Sequence, residues 1–517
     1  MPSVVIHRKK NGLAYAYSVE SYWDKEKKAP RNRQVCLGRY NEETGEITPS
    51  KRSSRTEKRA ASAPDVTASA KVFGPYLLLS KVSKEIGLTS AINRCFPDTH
   101  DMILSLAFFV TQKGLPLSRS ELWSENHMHP YGQHMSSQRV SDLLKSITED
   151  ERQRFLSLWL KRLSEIEYLC YDITSISSYS EGNSYLRYGH NRDKDGLPQV
   201  NLAMLFGQSS GLPAYYRRLP GNITDVTTLK QTIETLDFLG KTKLQFILDR
   251  GFYSEGNLNA LFSKRYRFVI AVPTNRLWVR SILDQYSGCI TSPEYYSQVS
   301  DDEVLYMASH LHKWQGHRCY LHVFYNATRA AEDYDNLVKS LLIRRTELET
   351  GNTKEAYRDL YDRFFVVKNT PKRGLQVSFN EDEIAKYRRR YAGFFCILTN
   401  VKMPSAELLG IYRRKDVVEN CFDDLKNALD LKRLRVHSSE AMDSRLFIQF
   451  ISLILLSSVR AIAKTSEALR HSSPRDIMEA LEAIVRITYS GRYGCAISEI
   501  APFQKSILET FSLSLET

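Results

Sequence analysis

The alternation of strand-like and helix-like segments between residues 168 and 272 restricts the fold more than any other feature of the sequence. Residues 168–173 form a short, nearly continuous apolar run, as is typical of a buried strand. The elements predicted after it, in chain order, are strands at 199–206 and 212–217, a helix at 226–239, a strand at 244–248, a helix at 254–264 and a strand at 266–272. This pattern indicates an α/β core.

Three strands followed by helix and strand in alternation is the order of a ribonuclease H-like α/β core. This alternation is lost over residues 275–390, which mix strand-like pieces such as 318–325 with a polar helical stretch at 329–349 and which we interpret as an inserted subdomain. A buried strand within 391–399 resumes the core, and long helices complete the chain. The core is therefore predicted in two parts, 164–274 and 391–517.

Three regions are predicted before the core. Residues 1–48 contain short runs in which apolar and polar residues alternate, and the region is basic. This pattern indicates β-hairpins, whose basic surface either faces solvent or binds DNA. Residues 49–70, rich in Ser, Ala and charge, are expected to be a linker. Residues 71–163 have helical spacing with a serine cap at Ser136, which favours a helical DNA-binding domain, with a structural helical bundle as the alternative.

Charge and composition restrict the partner and the compartment. The formal net charge of +13 favours a polyanion, for which nucleic acid is the best candidate. The eight cysteines are scattered without a CxxC pair or zinc spacing, so we expect reduced thiols and a cytoplasmic protein. The N-terminus has no apolar signal region, and Gln449 and Ser452 interrupt the longest apolar stretch, 446–456. That stretch is too short to span a bilayer, and we expect a buried helix and no membrane partner.

Two aspartates stand at informative points of predicted strands. Asp172 interrupts an apolar strand, and Asp249 ends another. If these strands are adjacent and parallel, both carboxylates emerge near one sheet edge, where α/β proteins bind ligands. Because a buried carboxylate without a partner is costly, each aspartate is either part of a functional site or held by a helix cap or an ion pair.

A helix predicted around Tyr412 offers a third acid. At about 100° per residue, one narrow stripe of this helix contains Tyr412, Lys415, Glu419 and Lys426. A neighbouring apolar stripe, which would pack the helix, contains Ile411, Val418, Phe422, Leu425 and Leu429. The alternative is a plain amphipathic helix with an ion pair between Lys415 and Glu419. On geometry alone, Asp423 competes with Glu419.

The chain resembles bacterial insertion-sequence transposases of the IS-four-like DDE superfamily. The matching segments are YDITS at 171–175, PGNITD at 220–225, LDRGFYS at 248–254 and the Tyr412 helix. The helix motif of that family is Tyr, two residues, Arg, three residues, Glu, six residues and Lys. This chain departs from it only at Lys415, which keeps the charge of the arginine but loses its bidentate fork.

The resemblance implies a DNA transposase that cleaves strands at transposon ends and transfers them into target DNA. It also implies that the inserted subdomain between Asp249 and Glu419 is mainly β. Asp172, Asp249 and Glu419 would hold two Mg²⁺ ions, for which Mn²⁺ can substitute. Two metal ions in such a site activate the attacking oxygen and stabilise the leaving oxygen. The implied DNA-binding residues are Tyr412, Lys415, Lys426 and Arg250. Trp278 or Trp314 would stack on an unpaired base, although at least one of the two is expected in the core because stacking needs an exposed ring.

The implied partners are the terminal inverted repeats of the element and the target DNA. A homodimer is expected in the DNA complex, in the cytoplasm of a bacterium and associated with the nucleoid when bound to DNA.

Two other functions fit the same features. One is a ribonuclease H-fold nuclease that cuts without joining, and the other is a DNA-binding protein that has lost catalysis.

Overall fold

The computed structural model describes residues 3–24, 28–49, 67–162, 167–179, 185–189, 196–223, 225–238, 244–300, 303–371, 374–429, 431, 433–434, 439–490 and 494–515. The chain divides into two compact units. The smaller contains Met1–Ala70 and Ile487–Ala496, and the larger contains Lys71–Arg486 and Ile497–Thr517. Most of the predicted linker, residues 50–66, lies outside the described residues.

The smaller unit contains a four-stranded antiparallel sheet. Its strands, in spatial order, are β1 (Ser3–Arg8), β2 (Ala14–Asp24), β3 (Ala29–Tyr40) and β4 (Ile47–Pro49). Strand β5 (Ala68–Val72) follows and belongs to a second, three-stranded sheet. Only a few side chains of the four-stranded sheet, such as Ala14 and Ala16, are buried.

Residues 74–162 are helical. The helices are α1 (Gly74–Glu85), α2 (Leu88–Cys95), α3 (His100–Lys113), α4 (Ser120–Asn126), α5 (Ser137–Ser146) and α6 (Glu149–Arg162). As predicted, Ser136 caps a helix: its side chain accepts a hydrogen bond from the main-chain N–H of Arg139 at the start of α5. Helix α3 is buried from Met102 to Gln112, which makes it a central element of the larger unit.

The segment predicted as alternating strands and helices has that order. Its elements are β6 (Tyr168–Ser178), β7 (Gln199–Gly207), β8 (Pro213–Pro220), α7 (Asp225–Phe238), β9 (Gln245–Leu248), α8 (Glu255–Ser263) and β10 (Arg267–Val272). Strand β9 is parallel to both of its neighbours, β6 and β10, whereas β6, β7 and β8 are antiparallel to one another. The fold is therefore mixed α/β.

Residues 275–390 differ from the mainly β insertion that the resemblance implied. The elements are α9 (Leu277–Tyr286), β11 (Tyr296–Ser300), β12 (Glu303–Trp314), β13 (His317–Tyr325), α10 (Ala327–Thr350), α11 (Arg358–Phe364), β14 (Phe365–Thr370), β15 (Gly374–Phe379) and α12 (Glu381–Arg390). Three of these strands, β11–β13, extend the main sheet. The part that follows is mostly helical and has its own small core around Leu341 and Phe364. The polar helical stretch predicted at 329–349 is present as α10, but the mainly β character implied by the family resemblance is wrong, because the helices of this segment contain more residues than its strands.

The rest of the chain completes the sheet and covers it. Its elements are β16 (Phe394–Thr399), α13 (Ser405–Arg413), α14 (Asp416–Asp423), β17 (Arg433–Leu434), α15 (Ser439–Thr465), α16 (Pro474–Glu482), β18 (Val485–Tyr489), β19 (Cys495–Ile497) and α17 (Pro502–Thr510). The main sheet has the order β11-β12-β13-β16-β10-β9-β6-β7-β8, and β17 pairs with β6. The three-stranded sheet has the order β19-β18-β5.

Helix α15 contains the longest apolar stretch of the sequence. By length and composition alone, Glu440–Thr465 could cross a membrane, and 83% of its apolar window is buried inside the protein. It packs against α3 and α5, and Ser452 donates a hydrogen bond to the carbonyl of Ala107 on α3. Within this fold the stretch is a core helix, as predicted.

Candidate active site

The pairing of β6 with β9 brings Asp172 and Asp249 together. In this parallel ladder Tyr171 is opposite Leu248, the last residue of β9. Asp172 and Asp249 are the next position on each chain, so both follow the same ladder position at the carboxyl end of β9. Side chains at matching positions of parallel neighbours point to the same face of a sheet. The strand register therefore aligns the two carboxylates.

Asp249 is held by contacts from the last turn of α13 and from Lys415, which follows that helix. Its Oδ1 accepts a hydrogen bond from the hydroxyl of Tyr412 at 2.8 Å, and the Lys415 ammonium lies 3.1 Å from the same oxygen. Burial acts to raise the pKa of Asp249, but the charge of Lys415 and the hydrogen bonds from Arg250 and Tyr412 lower it overall. Burial and the charge of Asp249 raise the pKa of Tyr412. Asp249 is thus kept ionised and Tyr412 protonated.

Asp172 lies within strand β6, where it is half-buried. Its Oδ1 accepts a hydrogen bond of 2.8 Å from the main-chain N–H of Ile173. The strand continues past it as far as Ser178, so its main chain is fixed on both sides by pairing with β7.

The predicted helix around Tyr412 is present but is not one regular α-helix. Helix α13 ends at Arg413, α14 begins at Asp416, and Val418 bonds to the carbonyl of Lys415 only three residues earlier. After Asp423 the backbone widens into a π-helical turn, Asp424–Ala428. A fixed 100° per residue therefore does not hold from Tyr412 to Lys426. Tyr412 and Lys415 nevertheless both contact Asp249, and Lys415 and Glu419 line one small cleft with it, whereas Lys426 does not line that cleft. Such π-helical turns are frequent at functional sites.

The apolar side of this segment is buried as predicted. The residues of the predicted stripe that are buried are Ile411, Val418, Phe422, Leu425 and Leu429. The ring of Phe422 packs edge-on against that of Phe206 on β7, with 5.6 Å between their centroids. These contacts hold α14 against the sheet beside the two aspartates.

A buried ion pair that the sequence analysis missed also anchors this segment. The carboxylate of Asp424 is buried and accepts hydrogen bonds from both terminal nitrogens of Arg460 on α15, one of them at 2.6 Å. Burial raises the pKa of Asp424, and Arg460 opposes this effect. The available signal was the position of Asp424 between two apolar residues, Phe422 and Leu425.

One small cleft brings the three predicted acids together. Its lining residues are Cys170, Tyr171, Asp172, Ile247, Asp249, Lys415, Val418 and Glu419. Its volume, about 20 Å³, suits a single water-sized group. Asp423 is not among the lining residues and instead accepts a hydrogen bond of 2.6 Å from Asn427. The structure therefore favours Glu419 over Asp423 as the third acid.

The ligand atoms around the cleft are of the chemical type that a hard metal ion prefers. Mg²⁺ prefers oxygen ligands, and the cleft offers three carboxylates. Burial raises the pKa of the Cys170 thiol to about 12, so this side chain remains neutral. In the described part of the chain, no three His, Cys, Asp or Glu side chains are grouped closely enough to hold an ion. The cation that contacts Asp249 in this structure is the Lys415 ammonium.

The other predicted site residues lie around the cleft or away from it. Arg250 is exposed directly after Asp249, whereas Lys426 is half-buried and does not line the cleft. Trp314 is only 8% exposed, and its indole N–H donates to Asn259. Trp278 is half-buried and stacks on His312 with 4.6 Å between centroids. Trp314 is thus a core residue in this structure, as expected for at least one of the two tryptophans.

Comparisons with known proteins identify a family and structures that are similar to this chain. A family model described as "Transposase DDE domain" matches residues 164–455, more than half of the chain. Among solved structures, the chain is similar to one in the cryo-EM structure of a piggyBac transposase synaptic complex with hairpin DNA. That likeness has 12% sequence identity and a TM-score of 0.38, and it covers 79% of this chain and 77% of the other. None of the curated proteins matches the sequence.

Proposed function

The chain belongs to the transposase DDE domain family, and from this premise we propose that it is a DNA transposase whose divalent ions are held by Asp172, Asp249 and Glu419. Membership of this family implies a nuclease or transposition enzyme, and its members generally use divalent metal ions. We propose Mg²⁺, with Mn²⁺ as a substitute and two ions in the working site. The observation that carries the proposal is the meeting of the three acids at one cleft.

The arrangement of strands supports a ribonuclease H-like core as part of this proposal. Strands β8, β7 and β6 are antiparallel neighbours, and β9 and β10 continue the sheet in parallel with β6. The cleft lies at the carboxyl end of β9, where Asp249 faces Val418 and Glu419 of α14. In open α/β sheets this is the edge where ligands bind.

Each side chain of the cleft has a distinct proposed task. The bound ions would activate the attacking oxygen of water or a 3′-hydroxyl and stabilise the leaving oxygen. Asp172 and Asp249 offer carboxylates fixed by strand pairing, and Glu419 offers one across the cleft. Tyr412 and Lys415 would offer a hydroxyl and a cation to a phosphate, and the exposed Arg250 would contact the same strand of DNA.

The proposed partners are the inverted repeats at the ends of the element and the target DNA, bound by two copies of the chain. The net charge of +13 supports a polyanionic partner. The helices at 74–162 are the proposed DNA-binding domain. Lys426 and Trp278 are candidates for further DNA contacts in an assembled complex, whereas the buried Trp314 is not. The proposed setting is the bacterial cytoplasm, with the chain encoded by an insertion sequence and associated with the nucleoid when bound to DNA.

Incubation of the full-length protein with Mg²⁺ and labelled DNA from both flanks of its gene tests the proposal. We expect cleavage at the element ends and joining of the freed 3′ ends to a second duplex. Cleavage without joining would identify a nuclease, and binding without cleavage would identify a DNA-binding protein; either result contradicts the proposal.

Three single substitutions test the assignment of the acids. Asp172→Asn, Asp249→Asn and Glu419→Gln are each expected to lower the cleavage rate by at least about 10³-fold, because each removes a charged ligand. DNA binding measured by gel shift should persist in all three. Normal cleavage by any one of these variants would remove that residue from the site.

A further inference from the structure

The cleft already contains a cation of its own. Among the described residues that line it there are three acids and a single basic side chain, Lys415. The Lys415 ammonium lies 3.1 Å from Oδ1 of Asp249 and 5.3 Å from the centre of the Tyr412 ring. The hydroxyl of Tyr412 donates to the same Oδ1 at 2.8 Å. One oxygen of a proposed metal ligand is therefore in contact with both a cation and a hydrogen-bond donor.

A metal ion and the Lys415 ammonium cannot both bind this oxygen at low cost. Magnesium binds carboxylate oxygens at about 2.0–2.1 Å, so an ion on Oδ1 would lie within a few ångströms of the ammonium. Two cations at such a separation repel strongly in a partly buried site. The side chain of Lys415 is 25% exposed, so it is partly shielded from solvent.

Lysine is suited to leave such a contact. Its charge is a compact ammonium on a flexible four-carbon stem, so it can move without a change in the main chain. Solvent reaches the exposed side of the Asp249 side chain, which is 51% exposed. A phosphate of bound DNA would offer the displaced ammonium a new partner at this open side.

We infer that Lys415 is the internal counter-ion of the cleft, and that a divalent ion binds Asp249 by displacing its ammonium onto a DNA phosphate. This inference rests on the proposed function and adds a regulatory property to it. Before DNA binds, the carboxylates are neutralised in part by the protein itself, which weakens metal binding. When DNA is present, the phosphate accepts Lys415, and the metal binds more tightly. By linkage, the metal must strengthen DNA binding by the same factor.

Titration of the DNA-free protein with Mn²⁺ tests the first half of the inference. Calorimetry or the electron paramagnetic resonance signal of free Mn²⁺ gives the dissociation constant without any measurement of activity. Removal of the competing charge in Lys415→Met should tighten Mn²⁺ binding by about 10-fold, within the usual range of coupling between sites. Lys415→Gln provides a second, more polar variant in case the first folds poorly. Lys415→Arg retains a cation and should bind Mn²⁺ as the unaltered protein does.

Arg413→Met is the matched control. Arg413 lies at the end of α13, its guanidinium pairs with Glu303 at 2.6 Å, and it is not among the described residues that line the cleft. Loss of this charge should leave Mn²⁺ affinity unchanged. An equal gain in affinity from Arg413→Met would show a general effect of net charge and would overturn the inference.

DNA binding in Ca²⁺, which we choose to avoid cleavage, tests the second half. Fluorescence anisotropy with an end-sequence duplex should show that Ca²⁺ tightens DNA binding more in the unaltered protein than in Lys415→Met. If the unaltered protein binds Mn²⁺ and Lys415→Met or Lys415→Gln binds it no more tightly, the inference is wrong while the proposed metal site stands. If neither the unaltered protein nor a Lys415 variant binds Mn²⁺, the proposed metal function fails as well.

Discussion

The aspartates and the glutamate of the cleft are positioned by different kinds of structure. Asp172 and Asp249 stand at matching positions on two parallel strands, whose main-chain hydrogen bonds set the register through the pair Tyr171 and Leu248. Glu419 is carried by α14, an eight-residue helix between a tight turn and a π-helical turn. Its location depends on side chains that hold this short helix against the rest of the protein.

The difference shows which contacts matter for each acid. Strand pairing uses groups that every residue possesses, so the alignment of Asp172 with Asp249 tolerates changes in neighbouring side chains. The position of Glu419 depends on particular partners, above all the packing of Phe422 and the ion pair between Asp424 and Arg460. Substitutions beneath α14 should therefore affect the third acid and leave the first two in place.

The largest effect is expected from Arg460→Met, which leaves the buried carboxylate of Asp424 without its guanidinium. Removal of one partner of a buried pair costs about 3–5 kcal/mol of the free energy of unfolding. Urea denaturation measures this loss, and hydrogen exchange should show faster exchange in α14 but unchanged exchange in β6 and β9. If hydrogen exchange became faster by the same factor in β6, β9 and α14, the strands and the helix would not be held independently, and the prediction would be wrong.

The same variant has a defined pH dependence. Burial already raises the pKa of Asp424 in the folded protein, and the loss of Arg460 raises it further. A carboxyl group with a raised folded pKa contributes stability below its unfolded pKa that is lost as the pH rises through its folded pKa. Arg460→Met should therefore be closest to the unaltered protein in acid and furthest from it at neutral pH. The double variant Arg460→Met with Asp424→Asn should lose this dependence.

A smaller effect is expected from Ile247→Val in the strand that precedes Asp249. Ile247 is buried and lines the floor of the cleft, so loss of one methyl group should cost about 0.5–1.5 kcal/mol. Cleavage should remain close to normal, because the main-chain register between β6 and β9 does not depend on that methyl. A large loss of cleavage with a small loss of stability would show that the strand site is as sensitive to packing as the helix.

The smallest effect is expected from Asp423→Asn. Asp423 is exposed and accepts a hydrogen bond from the side chain of Asn427. Surface changes of this kind usually alter stability by less than about 0.5 kcal/mol. Cleavage should be normal, in contrast to Glu419→Gln on the same helix. Loss of cleavage in Asp423→Asn would reverse the choice between these two acids.

The elements of the core were predictable where periodicity was strong. The strands and helices between residues 168 and 272 are present in the predicted order, and the apolar side of the Tyr412 segment is buried as expected. The irregular backbone between Arg413 and Asp424 was not predictable, since a π-helical turn leaves no distinct sequence period. Likewise, nothing in β11–β13 indicated that these strands would extend the main sheet, because strand pairing joins residues far apart in the chain.

By itself, the sequence determined the residue types and their spacing: two aspartates on apolar strands, and a glutamate between two lysines beside an apolar stripe. These properties are local, and local patterns suffice to predict elements and to identify candidate acids. Only the tertiary structure decided that the three acids share one cleft, that Lys415 contacts Asp249 there, and that Arg460 pairs with Asp424 at the end of α14. Such contacts follow from sheet register and helix packing, which depend on the whole chain at once.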